Sequence, residues 1–314
     1  MLQDQCIEGI SRQAGSIYAI AIVEARLVGR GSGNWNYFLE TDGDAFVLSV
    51  IEEQSAEEVE VMARTLNWLE LYEYPTTTLQ KTAEKALTAV IDEKPALLRR
   101  FIRGNVCWAP DEEQVRQVGA SIASLHAVPC PSFLPQDIYY TQDRFRQALE
   151  SGHDRQYEEW VVRSLDRIDI GSYASLPKGL IHADVFPDNV LFNGGDLTAI
   201  IDFELACNYV LAFDVAMAIV GMCVTDGIPC SRRIDSLVAG YESVRVLSNE
   251  EKASIKPLAE YAAIMTSLWR YWRYRCHEPG HFKQHAYQEM AAVAQRFASI
   301  ELNPTPDALA LLRR

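Results

Sequence analysis

Apolar positions along this chain change their period once, and the change divides it. From about Tyr18 to Ile51 they fall in short β-rich runs, "SIYAIAIVEARLV", "NYFLET" and "DAFVLSVI", separated by the turn compositions "GRGSGN" and "DGD". The pattern predicts an antiparallel meander. The following stretch, "SAEEVEVMARTLNWLELYEYP", carries Val59, Met62, Leu66 and Leu69 at helical spacing behind a capping Ser55 and early acids, and Pro75 ends it. Two more strand-like runs, "ALTAVID" and "PALLRRFI", lead into "RGNVCWAPD", a break containing Gly and Pro. We place a hinge at residues 100–104, with an N-terminal lobe over 1–103 and a C-terminal lobe over 104–314. Beyond the hinge the period is helical, in "DEEQVRQVGASIASLHAV", "DRFRQALESG", "QYEEWVVRSLDRI" and "VLAFDVAMAIVGMCV". Residues 190–193 and 198–203 read as a hairpin within this helical lobe, turned by "NGGD". The expected class is α+β: a small antiparallel-sheet lobe with one main helix, then a larger, mostly helical lobe.

Composition narrows the function classes. At 314 residues and 48% hydrophobic content the chain can bury the cores of two lobes. No apolar run approaches the ~20 residues that span a bilayer, and the start "MLQDQCIEGISRQAG" lacks a basic region and an apolar segment, so a soluble, cytoplasmic protein without membrane partners is expected. Seven cysteines with no CxxC pair read as reduced thiols, neither a disulfide framework nor a zinc site. A formal charge of -14 disfavours nucleic acid and anionic membrane, both of which need Lys/Arg patches. A polyanionic substrate would need a metal ion or a local basic cluster to offset that field. The oligomeric state is left open.

The candidate chemistry lies in "GLIHADVFPDNVLFNGGDLTAIIDFE". His182, Asp184 and Asn189 make H-x-D-x-x-x-x-N, and Asp202 ends an apolar strand eighteen residues after Asp184. Phosphoryl transfer to an alcohol needs such a layout: one carboxylate at the acceptor hydroxyl, and an amide oxygen with a second carboxylate on the Mg²⁺ that bridges the phosphates of ATP. Asp184 takes the first role; Asn189 and Asp202 are the metal ligands. With a carboxylate pKa near ~4, Asp184 positions the hydroxyl and accepts its proton late in a loose transition state. His182 fastens the loop by hydrogen bonds. The turn "GRGSGNWN" offers backbone donors at Gly31, Ser32 and Gly33, next to Asn34, for the phosphates, although the same glycines suit any hairpin. "LLRRFIRG" offers backbone groups of Arg100 and Ile102 to adenine, and an ordinary linker would read the same way.

These residues resemble the catalytic segment of the aminoglycoside phosphotransferase and choline kinase superfamily. Within it, "LIHADVFPDNVLF", "IIDFELACN" and "AFDVAMAI" are most similar to the bacterial type II homoserine kinases, strongest over residues 179–222 and weaker in "GYESVRVLSNEE", "LWRYWRY" and the N-terminal meander. The resemblance implies a bilobal protein-kinase-like fold. It also implies ATP- and Mg²⁺-dependent transfer to the side-chain hydroxyl of L-homoserine, a step of threonine biosynthesis.

Two departures stand out. Glu204 occupies a position where homoserine kinases usually carry Tyr, which puts the acceptor in question. Ser49 replaces the lysine that most kinases carry on the third strand; homoserine kinases tend to have a small hydroxyl residue there, and Arg30 is a candidate for the missing charge. On the acceptor side we place Arg270, Glu204 and Asp188. Arg270 falls where homoserine kinases commonly have Arg and is assigned to the amino-acid carboxylate, in a helix where Arg270 and Arg273 are read on neighbouring parts of one face among tryptophans. Packing on tryptophan or pairing with surface acids is the competing reading of the same arginines. Pro279 and Gly280 break the helix between His277, His281 and His285, and no acid or Cys completes a convincing metal set with them. His126 is read as a packing histidine and Asp214 as a brace for the catalytic loop. Two alternatives remain: another hydroxyl acceptor (choline, a methylthio sugar or an aminoglycoside), and an inactive nucleotide-binding pseudokinase, which only Ser49 supports.

Overall fold

The computed structural model describes residues 2–30 and 33–299. The chain divides into two units, residues 1–104 with 198–204, and residues 105–197 with 205–314. The first unit opens with α1 (Leu2–Tyr18), then β1 (Ile22–Arg30), β2 (Asn34–Thr41), β3 (Ala45–Ile51), α2 (Ala56–Leu71), β4 (Ala89–Ile91) and β5 (Lys94–Arg100). Its strands form one antiparallel sheet in the order β1-β2-β3-β5-β4. Alternation along each strand gives the sheet two different faces. Tyr37, Leu39, Phe46, Leu48, Val50, Ala96 and Leu98 pack on one face with Ile10, Ala14 and Tyr18 of α1. The residues between them, Asn36, Ser49 and Leu97, stand on the other face.

α2 starts at a capping box, in which the Ser55 side chain and the Glu58 amide and carboxylate satisfy each other, and it buries Val59, Met62, Leu66 and Leu69. The meander follows its expected strands with one correction. "SIYAIAIVEARLV" is not a single strand, because α1 continues through Tyr18 and β1 begins at Ile22. Ile7, Ile10, Ala14 and Ile17 recur at helical spacing and cover the sheet, so tertiary burial decides for helix where local β-propensity had suggested strand.

The second unit contains β6 (Asn105–Val106), α3 (Glu112–Ala127), α4 (Arg146–Leu149), α5 (Arg155–Asp166), β7 (Lys178–Ile181), β8 (Val190–Asn193), the start of β9 (Asp196–Ile200), β10 (Cys207–Val210), α6 (Leu211–Met222), β11 (Val224–Thr225), β12 (Ile228–Pro229), α7 (Ser231–Glu242), α8 (Asn249–Tyr271) and α9 (Tyr287–Ser299). The hairpin turned by "NGGD" is present as β8 and β9, but its return strand starts earlier than read and enters the first unit at Thr198. "DRFRQALESG" yields only a 3₁₀ turn at Asp143–Phe145 and the four-residue α4. β7 pairs antiparallel with β10, a partnership between distant segments that the pattern did not suggest.

α6 is buried on all sides, as an almost wholly apolar helix must be, and its one acid, Asp214, is fully buried with it. The helix containing "LWRYWRY" does not run on: α8 ends at Tyr271 and Trp272–His277 form a π-helical turn. Arg273 is buried and paired with Glu278, while Arg270 stays partly exposed and meets Glu289. No described helix is long and apolar enough to cross a membrane. The six described cysteines are free thiols, and burial pushes those of Cys207 and Cys223 well above the ordinary thiol range.

Candidate active site

β7 ends in the buried pair Leu180 and Ile181 and delivers His182 to a loop that Asp214 holds from below. The Asp214 carboxylate accepts from the His182 amide at 2.9 Å and from the Ala183 amide at 2.7 Å. Aiming two consecutive amides at one carboxylate requires an unusual backbone, and Ala183 adopts the left-handed region at φ 67°. Asp214 also meets His126 Nε2 at 3.2 Å, and His126 Nδ1 lies 2.7 Å from the Tyr241 hydroxyl. Arg245 in turn donates to that hydroxyl at 3.1 Å. With Asp214 ionised, one direction of donation satisfies every member: Arg245 to Tyr241, Tyr241 to His126 Nδ1, and His126 Nε2–H to Asp214. Burial by itself would raise the Asp214 pKa. The His126 hydrogen bond, the electrostatic influence of His126 and His182 and the His182 amide outweigh it and hold the carboxyl below its usual range.

Above this brace, both oxygens of Asp184 are occupied. Tyr140 donates its hydroxyl to Oδ1 at 3.1 Å, and Asn189 Nδ2 donates to Oδ2 at 3.0 Å and to the Asp184 carbonyl at 2.9 Å. His182, with no exposed surface, accepts from the Asp184 amide through Nδ1 at 3.2 Å. Asn189 closes the 3₁₀ turn Pro187–Asn189 and is 7% exposed. Gly221 of α6 admits the loop: a Cβ there would stand 2.3 Å from the Val185 carbonyl oxygen.

In the first unit, Asp202 follows β9 with φ 71°, again left-handed. It lines a cleft with Asn34, Asn36, Ser49, Arg99, Glu204 and apolar Ile51, Met62 and Leu97. Ser49 is 2% exposed and donates to Asn36 Oδ1. Arg99 Nη2 donates to Ser49 Oγ. Glu204 accepts from Gln54 Nε2 at 3.1 Å. Gly33 has φ 114°, and its carbonyl accepts from the Glu52 amide at 2.9 Å. Gly31, Ser32 and the Arg30 side chain lie outside the described residues.

The expected adenine contacts divide. The Arg100 amide donates to the Thr78 carbonyl and the Phe101 amide to the Ala45 carbonyl, so Arg100 has no free N–H to offer. Ile102 makes no backbone hydrogen bond among the described residues. On the acceptor side, Arg270 Nη1 is 3.3 Å from both the Ala286 carbonyl and Glu289 Oε2, which is the surface-pairing reading of that arginine. Asp188 is exposed. Its charge and that of Glu278 add to burial in raising the Tyr274 phenol, against Arg270 and Arg273, so Asp188 and Arg270 act on one neighbourhood. His281 stacks on Tyr274 and Phe282 and faces Glu278, and no group of three or more metal-ligating side chains occurs among the described residues.

Two residues of these arrangements were missed. Tyr140 sits in an irregular loop where nothing in "IYYTQDRF" distinguishes it from its neighbour. Arg99 is marked only by its register against β3, which a single chain does not display.

Residues 24–247 match the phosphotransferase enzyme family, and the chain belongs to it: it is a kinase whose acceptor is a hydroxyl group. Among relatives, it is 30% identical over 252 residues to a homoserine kinase of Phenylobacterium zucineum strain HLK1, covering 77% of this chain and 78% of that protein. A microcompartment-associated aminopropanol kinase has the same fold at TM-score 0.71 and 19% identity, covering 92% of this chain and 97% of that one. So has an amicoumacin kinase solved with AMP-PNP and Ca²⁺, at TM-score 0.69 and 12% identity, covering 91% and 92%. The α+β class expected from the pattern, with the kinase-like fold that the resemblance implies, is therefore the fold of the chain.

Proposed function

We propose that this chain transfers the γ-phosphate of ATP to the side-chain hydroxyl of L-homoserine, with Asp184 as the group that orients that hydroxyl and receives its proton. The observation that carries the reading is the treatment of Asp184. Donors from two different segments fix its two oxygens while the backbone around it is tied to a buried carboxylate. A carboxylate held so firmly is pre-organised to receive one hydroxyl in one direction. The similarity to homoserine kinases supports the choice of acceptor.

The residues fit a divalent cation of the Mg²⁺ type. Asn189 points its amide protons at Asp184, which leaves the amide oxygen as its ligand atom, and the Asp202 carboxylate accepts no hydrogen bond among the described residues. One or two such oxygens, completed by phosphates and water, are what Mg²⁺ takes in kinase sites, and no all-protein cage is required. When bound, the ion neutralises charge that develops on the phosphates. Ile102, Gly33, Asn34 and Ser49 are assigned to the nucleotide, and Arg270, Glu204 and Asp188 to the acceptor. Because Arg270 already meets Glu289, its use for the homoserine carboxylate requires exchange of that pair.

The test is ADP release with Mg-ATP and L-homoserine, L-serine, 1-amino-2-propanol, choline or kanamycin as acceptors. Turnover selective for homoserine is expected. Selective turnover of an amino alcohol would overturn the acceptor and leave the kinase chemistry in place, and release of ADP with no acceptor in the panel would do the same.

A further inference from the structure

The third strand presents Ser49 where a phosphate-binding lysine is ordinarily expected, and the structure carries a cation one strand away. Opposite β3, Ser49 faces Leu97 and Val47 faces Arg99. Side chains two positions apart share a face of a sheet, so Arg99 stands on the face that carries Ser49, Asn36 and Asn34. Its Nη2 is 2.5 Å from Ser49 Oγ, and Ser49 passes its own proton to Asn36. The guanidinium thus occupies the space into which a longer side chain at position 49 would grow.

Three features mark this arginine as open to an anion. Its Nε is buried and has no hydrogen-bond partner. Among the described residues no carboxylate lies within ion-pair distance of it, although Asp202 and Glu204 line the same cleft. Its sequence neighbour Arg100, in contrast, is paired with Asp44 at 3.0 Å on the surface. A guanidinium cannot shed its charge, and holding one in a sheltered cleft without a paired counter-charge is unfavourable unless an anion arrives.

We propose that Arg99, held in place by Ser49 and Asn36, is the phosphate-binding cation of this chain and takes the charge role of the lysine absent at position 49, its ligand being the phosphate chain of a nucleotide. This rests on the kinase reading above. The role is binding and positioning: no bond to Arg99 forms or breaks. In a chain of net charge -14 it supplies the local positive charge that a polyanionic substrate requires.

Calorimetric titration with ADP and with adenosine tests the assignment. Arg99→Gln should weaken ADP by about tenfold or more and leave adenosine unchanged, whereas Arg99→Lys should keep most of the ADP affinity. Ser49→Lys alone should weaken ADP, since two cations then compete for one space. Ser49→Lys combined with Arg99→Gln should recover ADP affinity to within about threefold of the parent. Thermal unfolding of each variant confirms that folded protein is being compared. Equal losses for ADP and adenosine in Arg99→Gln would mean that Arg99 merely shapes the cleft, and the proposal would fall. It would fall alone if Arg99→Gln bound ADP like the parent. If the parent itself bound no ADP, the kinase reading would fall first.

Discussion

Asp184 and Asp202 each follow an apolar strand, beside or on a left-handed residue, and the chain treats them in opposite ways. Asp184 comes three residues after β7; Tyr140 and Asn189 hold its carboxylate, and the amides of His182 and Ala183 tie its loop to Asp214. Asp202 comes two residues after β9 and has its own φ at 71°, yet its carboxylate accepts no hydrogen bond among the described residues. The contrast is the one that the two proposed roles require. A group that must aim a hydroxyl needs its own orientation fixed in advance, whereas a group that must bind a hard cation needs free lone pairs. In both places the backbone adopts the left-handed region, at Ala183 and at Asp202 itself.

The largest effects should come from the two acids themselves. Asp184→Asn is expected to lower kcat by about 10³-fold with ADP affinity unchanged, measured by single-turnover transfer and calorimetry. Asp202→Ala should lower turnover by a similar amount but with a different signature, a rise in the metal concentration needed for half-maximal rate. If the metal response moved in Asp184→Asn and not in Asp202→Ala, the two roles would have to be exchanged.

Next in size is the brace. Asp214→Asn should cost about 3 kcal/mol of unfolding free energy, because it removes a buried charge on which two amides and a histidine converge. The folded-state pKa of Asp214 lies below its unfolded value. Its stabilisation is therefore fully present above the unfolded pKa near ~4 and is lost as the pH falls through the folded pKa. Urea unfolding between about pH 2 and 7 should show a steeper acid loss in the parent than in the variant. Identical acid limbs would remove Asp214 from the account.

Smaller changes test each acid's neighbours. Tyr140→Phe deletes the hydroxyl that donates to Asp184 Oδ1 and should lower kcat by about tenfold without altering ADP affinity, as expected for loss of one hydrogen bond to a charged group. Arg100→Ala should do least. Its pairing with Asp44 is about half exposed on both sides, so well under ~1 kcal/mol of stability and no change in ADP affinity are expected. Set beside Arg99→Gln, it asks whether two adjacent arginines on one strand differ as sharply as their surroundings do.

Much of this molecule is readable along the chain. Ser55, Glu58 and the spacing Val59, Met62, Leu66, Leu69 specify α2, since a cap and its stripe lie within a few turns of each other. His182, Asp184, Asn189 and Asp202 are legible for a similar reason: the chemistry places them in one short segment with strand-like flanks. The misread elements needed distant partners. α1 is helical where "SIYAI" looks like strand because a sheet face waits for its apolar stripe, and α8 gives way to a π-helical turn at Trp272 where local spacing continues the helix. The same holds at the site. Tyr140 meets Asp184 across forty-four residues, and Arg99 meets Ser49 across fifty. Periodicity reports which face a residue occupies, because it follows from backbone geometry over a few residues. Which strands are neighbours, in what register, and therefore which cation stands beside which hydroxyl, follows from burial summed over the whole fold.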